Sequence, residues 1–121
     1  MSQHPTQGLD DVVHHRTRLG ILAVLREVDE AEFGYLRDAL ALTDGNLSRH
    51  LRTLEDAGHV RIRKGYMGKR PRTWAHLTPA GASALDHEVN ALRELVRRLD
   101  QRGQDSAPDA SASRPTPAEG T

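Results

Sequence analysis

The stretch that decides the fold of this chain runs from position 36 to position 54, LRDALALTDGNLSRHLRTL. Phe33, Leu36 and Leu40 are spaced three and four residues apart, so they line one face of a first helix. The next two residues make a tight turn. A second helix follows, and its apolar stripe has a similar spacing: Leu47, Leu51 and Leu54. The pattern therefore predicts two short helices joined by a turn.

The second helix has an expected cap and a polar outer face. The hydroxyl of Thr43 can accept a hydrogen bond from the backbone N–H of Gly45 or Asn46, and Asp44 adds negative charge at the positive end of the helix dipole. With the leucines buried, the outward residues are Gly45, Asn46, Ser48, Arg49 and Arg52. Such a donor-rich face suits a helix in a DNA major groove, but it also suits a solvated helix in any small helical bundle.

Composition limits the alternatives. At 121 residues there is room for one domain, and the apolar fraction of 36% is low enough to predict that part of the chain is a tail. Cysteine is absent, which excludes disulfides, thiolate metal sites and cysteine nucleophiles. No apolar run reaches the length of a membrane span and no signal peptide starts the chain, so we expect a cytoplasmic, nucleoid-associated protein.

Charge is unevenly distributed, although 17 basic and 17 acidic residues give a net charge of zero. Between Arg49 and His76 there are eight basic residues and two acidic ones, so this segment carries +6. A clustered basic face is the electrostatic footprint of a nucleic-acid-binding protein, whatever the total charge.

A basic β-hairpin is predicted after the second helix. Val60–Lys64 alternates apolar and basic residues with the period of a strand. Residues 65–72, GYMGKRPR, form a turn-rich tip, and Thr73–Leu77 is the returning strand. Strand alternation places Trp74 on the face opposite Leu77, where it could cover the first helix or a subunit contact.

The chain before the helix-turn-helix is predicted to hold an arm and a first helix. Residues 1–8 are polar and should fray, and residues 9–13 are expected to form a short lead-in helix. The first main helix runs from about His15 to Val28, and its apolar residues spread around more than one face. One side can therefore pack in its own domain while the other meets a second subunit. Residues 29–31 should form a loop or a very short strand.

A long last helix is predicted from Thr78, a good N-cap, and Pro79, which fits the first helical position. It should run to about Arg102, where Gly103 can take the left-handed C-cap conformation. The residues that follow include no large apolar side chain, so we expect them to be disordered.

The last helix also carries an apolar seam with the heptad spacing of a coiled coil. Its members are Leu85, Val89, Leu92, Val96 and Leu99. The seam covers only about two heptads, so it either packs on its own domain or joins two copies. We favour a dimer contact, in which Glu88 and Arg93 would pair between the copies.

The order of these elements resembles the winged helix-turn-helix transcription regulators of the MarR and ArsR type, and most closely the small MarR-like regulators. The motifs that carry the resemblance are LTDGNLSRHLRTLEDAGHV (42–60), RIRKGYMGKRPRTWAHLTPAG (61–81) and RLGILAVL (18–25). The resemblance covers roughly residues 9–100. It implies a mainly α fold with a small β-hairpin, a winged helix-turn-helix with a long C-terminal dimerisation helix.

The resemblance further implies a bacterial homodimeric repressor bound to a near-palindromic double-stranded DNA operator. The second helix of the helix-turn-helix would then be the recognition helix, and the hairpin would be the wing. The domains would be an N-terminal arm (1–8), a winged helix-turn-helix DNA-binding domain (9–78), a C-terminal dimerisation helix (79–102) and a disordered tail (103–121). A small-molecule effector remains open, because no residue cluster defines its chemistry.

Candidate DNA contacts fall on the recognition helix and the wing. Those on the helix are Thr43, Gly45, Asn46, Ser48, Arg49 and Arg52. Those on the wing are Arg63, Lys64, Lys69, Arg70 and Arg72. Arg49 and Arg52 can donate two hydrogen bonds to guanine, Asn46 can pair with an adenine edge, and the wing cations can neutralise phosphates. His50 lies toward the flank of the helix, where a structural role is as plausible as a contact.

Three other hypotheses of function remain. An enzymatic function is disfavoured, because Ser48 and His50 are two residues apart on a helix and do not face each other, so they cannot form a Ser–His pair of nucleophile and base. A metal sensor is suggested by two pairs at i, i+4, Asp10 with His14 and Asp11 with His15, and by His87 with Asp86 on the last helix, but no pair has a zinc-binding signature. A winged helix used only for protein contact is disfavoured by the basic wing. We therefore expect no catalysis, no metal and no cofactor.

Overall fold

Four α-helices and a three-stranded antiparallel sheet make up residues 4–105, the part of the chain that the computed structural model describes. In chain order the elements are a 3-10 helix (Pro5–Gly8), α1 (Arg16–Val28), β1 (Glu30–Glu32), α2 (Phe33–Ala39), α3 (Asp44–Asp56), β2 (Val60–Met67), β3 (Arg70–Leu77) and α4 (Pro79–Asp105). The predicted winged helix-turn-helix with a long C-terminal helix is confirmed. None of the helices in the described range is long and apolar enough to cross a membrane.

The helix-turn-helix forms where the sequence predicts it. Ala41 takes a positive φ of 54° in the turn. The predicted N-cap is present, since the backbone N–H of Asn46 donates to the hydroxyl of Thr43 at 3.1 Å. The leucine stripe of α3 packs into the core, and Leu47 and Leu54 have no exposed surface. Because this stripe is fully covered, the opposite face of α3 is left to the solvent.

The sheet has the order β1-β3-β2, so β3 is its central strand. The wing differs from the prediction, because residues 65–72 are mostly paired strand rather than an irregular tip. Pairing continues to Met67 and Arg70 and leaves a turn at Gly68 and Lys69. Gly68 has a φ of +66°, and tight two-residue hairpin turns need such a residue. The third strand is β1, the segment for which the sequence left a loop or a short strand open.

The two faces of the sheet differ in burial. Ala31, Ala75 and Ile62 occupy matching register positions and face the core. Trp74 therefore points to the outer face, as the alternation predicts. It lies beside its β2 register partner Arg63.

The start of α4 rests directly on the backbone of the turn that follows α3. Thr78 caps the helix by accepting from the N–H of Gly81 at 2.9 Å, and its hydroxyl donates to the carbonyl of Gly58 at 2.7 Å. A Cβ atom at Gly81 would lie 2.0 Å from the carbonyl oxygen of His59. No other residue fits position 81 without moving this junction, because a contact of that length lies inside the van der Waals radii.

The end of α4 is later than predicted. The helix passes through Arg102 and Gly103 and reaches Asp105, so the predicted C-cap at Gly103 is wrong and the helix ends three residues after Arg102. A single glycine costs a helix only about 1 kcal/mol, so it does not by itself stop one. The rest of the predicted tail, residues 106–121, lies outside the described residues.

The N-terminal segment also differs from the prediction. Residues 5–8 are not a frayed arm: they form the 3-10 helix, in which Pro5 is buried. The lead-in helix expected at residues 9–13 is absent, because the side chain of Asp10 accepts from the N–H of Val12 at 2.7 Å and forms a turn instead. Val13 follows this turn and is fully buried.

Candidate nucleic-acid interface

The outer face of α3 presents the predicted set of polar residues to solvent. Gly45, Asn46, Ser48, Arg49 and Arg52 are all exposed, as is the capping Thr43. The guanidinium of Arg49 donates to the side-chain oxygen of Asn46 at 3.1 Å, so these two side chains form one polar pair. A Cβ at Gly45 would meet no atom within 4 Å, which leaves room there for another molecule to approach the helix backbone.

A cleft lies between α3 and the wing, and polar residues of both elements line it. It has a volume of about 260 Å³ and is lined by Ser48, Arg52 and Glu55 from α3 and by Lys64 and Thr73 from the wing. Lys64 therefore faces α3. Glu55 was not among the predicted site residues, although it follows Arg52 by three positions and so shares its face of the helix.

The tip of the wing is exposed and basic. Lys69 lies in the hairpin turn and Arg70 begins β3, and neither has an ion-pair partner among the described residues. Tyr66 and Met67 are also exposed here. Sequence reasoning missed these two, and the signal that could have found them is an apolar pair beside a turn. Cations together with exposed apolar side chains suit a groove lined by phosphates.

Two of the predicted wing contacts point away from that surface. Arg63 makes two hydrogen bonds to the carboxylate of Glu30, both at 3.2 Å, and its guanidinium lies 4.1 Å from the centre of the Trp74 ring. Arg72 donates to Glu32 at 2.8 Å. The hydrogen bond from Arg63 lowers the pKa of Glu30, so this carboxylate stays ionised. The positive charge that the sequence assigned to the wing is thus partly matched by two acids of β1.

His50 has a structural role. Its ring is buried and lies 3.1 Å from the guanidinium of Arg18, and the ring of His15 is 4.7 Å away. Arg18 can only donate, so the Nδ1 atom of His50 is the acceptor. Burial lowers the pKa of His50, and the charges of His15, Arg18 and Arg49 lower it further. The contact therefore requires a neutral imidazole and ties α3 to α1.

Two of the residues considered for a metal site, His14 and Asp86, form other contacts. His14 bonds to the buried Glu88 through Nδ1 at 2.5 Å. Asp86 pairs with Arg26 at 2.6 Å. Within residues 4–105, the histidines and carboxylates form no group of three that could hold a metal ion.

The apolar seam of α4 divides into two parts. Leu85 is buried in the core and Val89 packs against it, whereas Val96 and Leu99 are 55% and 63% exposed. Between these parts, Leu92 lines a groove of about 500 Å³ between α1 and α4. Glu88 is 1% exposed and bonded within its own domain, so the predicted pairing of Glu88 with Arg93 between copies is wrong.

Comparisons with known proteins agree with this geometry. The model of a winged helix DNA-binding domain family matches residues 17–96. An uncharacterized protein of Methanocaldococcus jannaschii is 35% identical over 83 residues, 69% of this chain and 90% of that protein. The solved structure of a transcriptional regulator homologue from Pyrococcus horikoshii OT3 has a TM-score of 0.71 and 32% identity, and the match covers 75% of this chain and 90% of that one.

A further solved structure is described as a transcriptional regulator of the MarR family from Enterococcus faecalis V583. It is 26% identical with a TM-score of 0.60, and the match covers 80% of this chain and 84% of that one. Both solved relatives are described as regulators rather than as enzymes. The resemblance inferred from the sequence motifs is confirmed, and the chain belongs to the winged helix DNA-binding domain family as a transcriptional regulator of the MarR type.

Proposed function

We propose that this chain is a homodimeric repressor that binds a near-palindromic operator, with α3 of each copy in the major groove and each wing tip on the flanking backbone or minor groove. One observation carries the proposal. The exposed polar face of α3 continues across the cleft to Lys64 and Thr73 of the wing, and these residues form one polar surface.

Base reading is assigned to α3. Arg49 and Arg52 present guanidinium groups that fit the two acceptors of guanine, and each good bidentate contact discriminates by about 1–3 kcal/mol. Asn46 bonds to Arg49, so the two side chains would enter the groove as a pair and read neighbouring bases. Gly45 allows a close approach of the helix backbone to the sugar-phosphate chain.

Dimerisation is assigned to α4 together with α1. The groove between them is lined by Leu19, Ala23, Val89 and Leu92, and the exposed Val96 and Leu99 continue the apolar line along α4. A second copy is the occupant that such a surface fits, since a two-fold dimer joins identical patches and would also present two recognition helices to a palindrome. A dimer seated on a promoter would repress by occlusion, and a small-molecule effector bound in the groove would change the spacing of the two helices.

Selection of binding sites from random double-stranded DNA with the full chain tests the proposal. We expect a palindrome whose half-sites are centred about 10 base pairs apart, and a linear fall of log affinity with log salt concentration. Sedimentation of the same protein should give a dimer. A monomer that recovers no sequence would contradict the proposal, and the basic surface would then serve contact with an acidic protein.

A further inference from the structure

The outer half of the wing lacks the support of the third strand. β1 pairs only with Trp74, Ala75 and His76 of β3, so the hairpin beyond Trp74 is a two-stranded ribbon that projects from the domain. Isolated two-stranded hairpins are marginally stable in water. Something other than backbone pairing must therefore fix the position of the tip cations relative to α3.

Two arginines connect this ribbon to β1 on the outer face of the sheet. Arg72 lies beyond the end of β1, two positions outward from Trp74, and its guanidinium reaches back to Glu32, the last residue of β1, at 2.8 Å. The side chains of both partners are 31% exposed, so this ion pair is partly shielded from water. Arg63 makes the matching connection from β2 to Glu30 with two hydrogen bonds.

The Trp74 ring lies between these two connections. Arg63 stacks on it, and a Cβ at Gly65 would come within 3.3 Å of the ring, so the indole packs against the bare backbone of β2. Gly65 is the register partner of Arg72. The indole, the two arginines and the two carboxylates thus form one layer across all three strands.

We propose that Glu32 and Glu30 are positioning residues for DNA binding: through Arg72, Arg63 and Trp74 they hold the projecting wing at a fixed angle to the recognition helix, and these two arginines do not contact phosphate. This proposal rests on the proposed function, because it assigns how the same interface is aligned. The phosphate contacts of the wing then belong to Lys64, Lys69 and Arg70.

The opposite role for Arg72, a direct phosphate contact, makes a different prediction for Glu32. In that case the carboxylate competes with phosphate for the guanidinium, and Glu32→Gln would strengthen operator binding. If Glu32 positions the wing, the same substitution weakens operator binding. Because the two roles predict opposite signs, a single variant separates them.

The experiment measures operator affinity at several salt concentrations for Glu32→Gln, Arg72→Gln and the double variant. We expect each single variant to weaken binding by about three- to tenfold, and the double variant to lose little more, because partners in one ion pair are coupled. The slope of log affinity against log salt should not change, whereas loss of a phosphate contact lowers it by about 1. Asp100→Asn, a carboxylate removed from α4, is the charge-matched control and should bind as the parent does.

A second readout requires no DNA. Trp74 is the single tryptophan of the chain, so its fluorescence reports on this layer alone. Glu32→Gln should shift its emission to the red, because the ribbon that covers the ring loosens. Glu30→Gln should do the same through Arg63, and it replaces Glu32→Gln in both assays if the latter does not fold.

The outcomes separate this inference from the proposed function. Stronger or unchanged operator binding by Glu32→Gln, additive losses in the double variant, or unchanged Trp74 emission would each overturn the positioning role. Lys69→Ala tests the wing as a DNA contact independently, since it should lower the salt slope by about 1. If Lys69→Ala has no effect while the emission shifts as expected, the layer is present and the assignment of the wing to DNA is wrong.

Discussion

The helix α3, the proposed recognition helix, and the C-terminal helix α4 both carry apolar residues at spacings of four and three, but the two stripes have different surroundings. Every leucine of the α3 stripe is buried within the domain, and Leu54 has no exposed surface at all. The α4 stripe begins buried at Leu85 and ends with Leu99 63% exposed. Spacing thus identifies which side chains share a face, but whether that face is covered depends on the rest of the fold.

The largest difference is expected in the free energy of unfolding, when one leucine of each stripe is replaced by alanine. Leu54→Ala should lower the free energy of unfolding by about 2–5 kcal/mol, because it leaves a cavity in a closed core. Leu99→Ala should change the free energy of unfolding of the monomer very little, since its side chain has no core to leave. Urea denaturation at low protein concentration measures both. Equal losses at the two positions would contradict the distinction between the stripes.

A charge at the exposed end of α4 should act on assembly rather than on folding. Each large apolar side chain that a dimer covers contributes about 1.5–3 kcal/mol, and Leu99→Asp removes one from each copy, so it should raise the dimer dissociation constant by at least about a hundredfold. Sedimentation equilibrium measures this constant, with Asp100→Asn as the neighbouring control. A variant that stays as dimeric as the parent would exclude the α4 seam as the interface.

The polar face of α3 should carry specificity. Arg49→Ala should cost about 1–3 kcal/mol on the selected operator and much less on unrelated DNA, because a bidentate contact to one base is lost. Fluorescence anisotropy with operator and scrambled duplexes measures both affinities. Arg93→Ala removes an exposed arginine from α4 and is the matched control. A uniform loss on both duplexes would make Arg49 a phosphate contact instead.

The smallest effect is expected from acidification. The pKa of His50 is lowered in the folded protein, first by burial and then by nearby positive charges, so the unfolded chain binds protons more readily. The stabilisation that neutral His50 provides is fully present at a pH above its pKa in the unfolded chain, about 6.5. It is lost as the pH falls through the lower pKa of the folded protein. Melting temperature should therefore drop between pH 7 and pH 5. His50→Gln keeps an acceptor for Arg18 and should show a smaller drop.

Features that depend on neighbours in sequence were predictable. The Thr43 cap, the buried face of α3 and the basic hairpin follow from residues within a few positions of one another. The connection of Arg72 to Glu32 was not, because these residues are 40 positions apart and nothing local pairs them. The strand β1 has only three residues, and so short a sequence does not show by its alternation that the two acidic residues of β1 face the wing.

The same reason explains the errors at the two ends of the chain. Glu88 has the spacing of an exposed heptad residue, but it is buried and bonded to His14, 74 positions earlier. Residues 5–8 were expected to be part of a free arm, because their polar composition gives no sign of the α4 surface on which they pack. Gly103 looked like a helix end, although a glycine alone permits an end without requiring one.

The backbone contact at Gly81 has a mechanical consequence. No side chain separates the first turn of α4 from the carbonyl of His59, so a displacement of α4 would be transmitted directly to the turn between α3 and the wing. The long helix α4 would then rotate as a rigid lever that pivots at this turn. In the proposed dimer, a rotation of a few degrees between the two α4 helices would therefore change the distance between the two α3 helices.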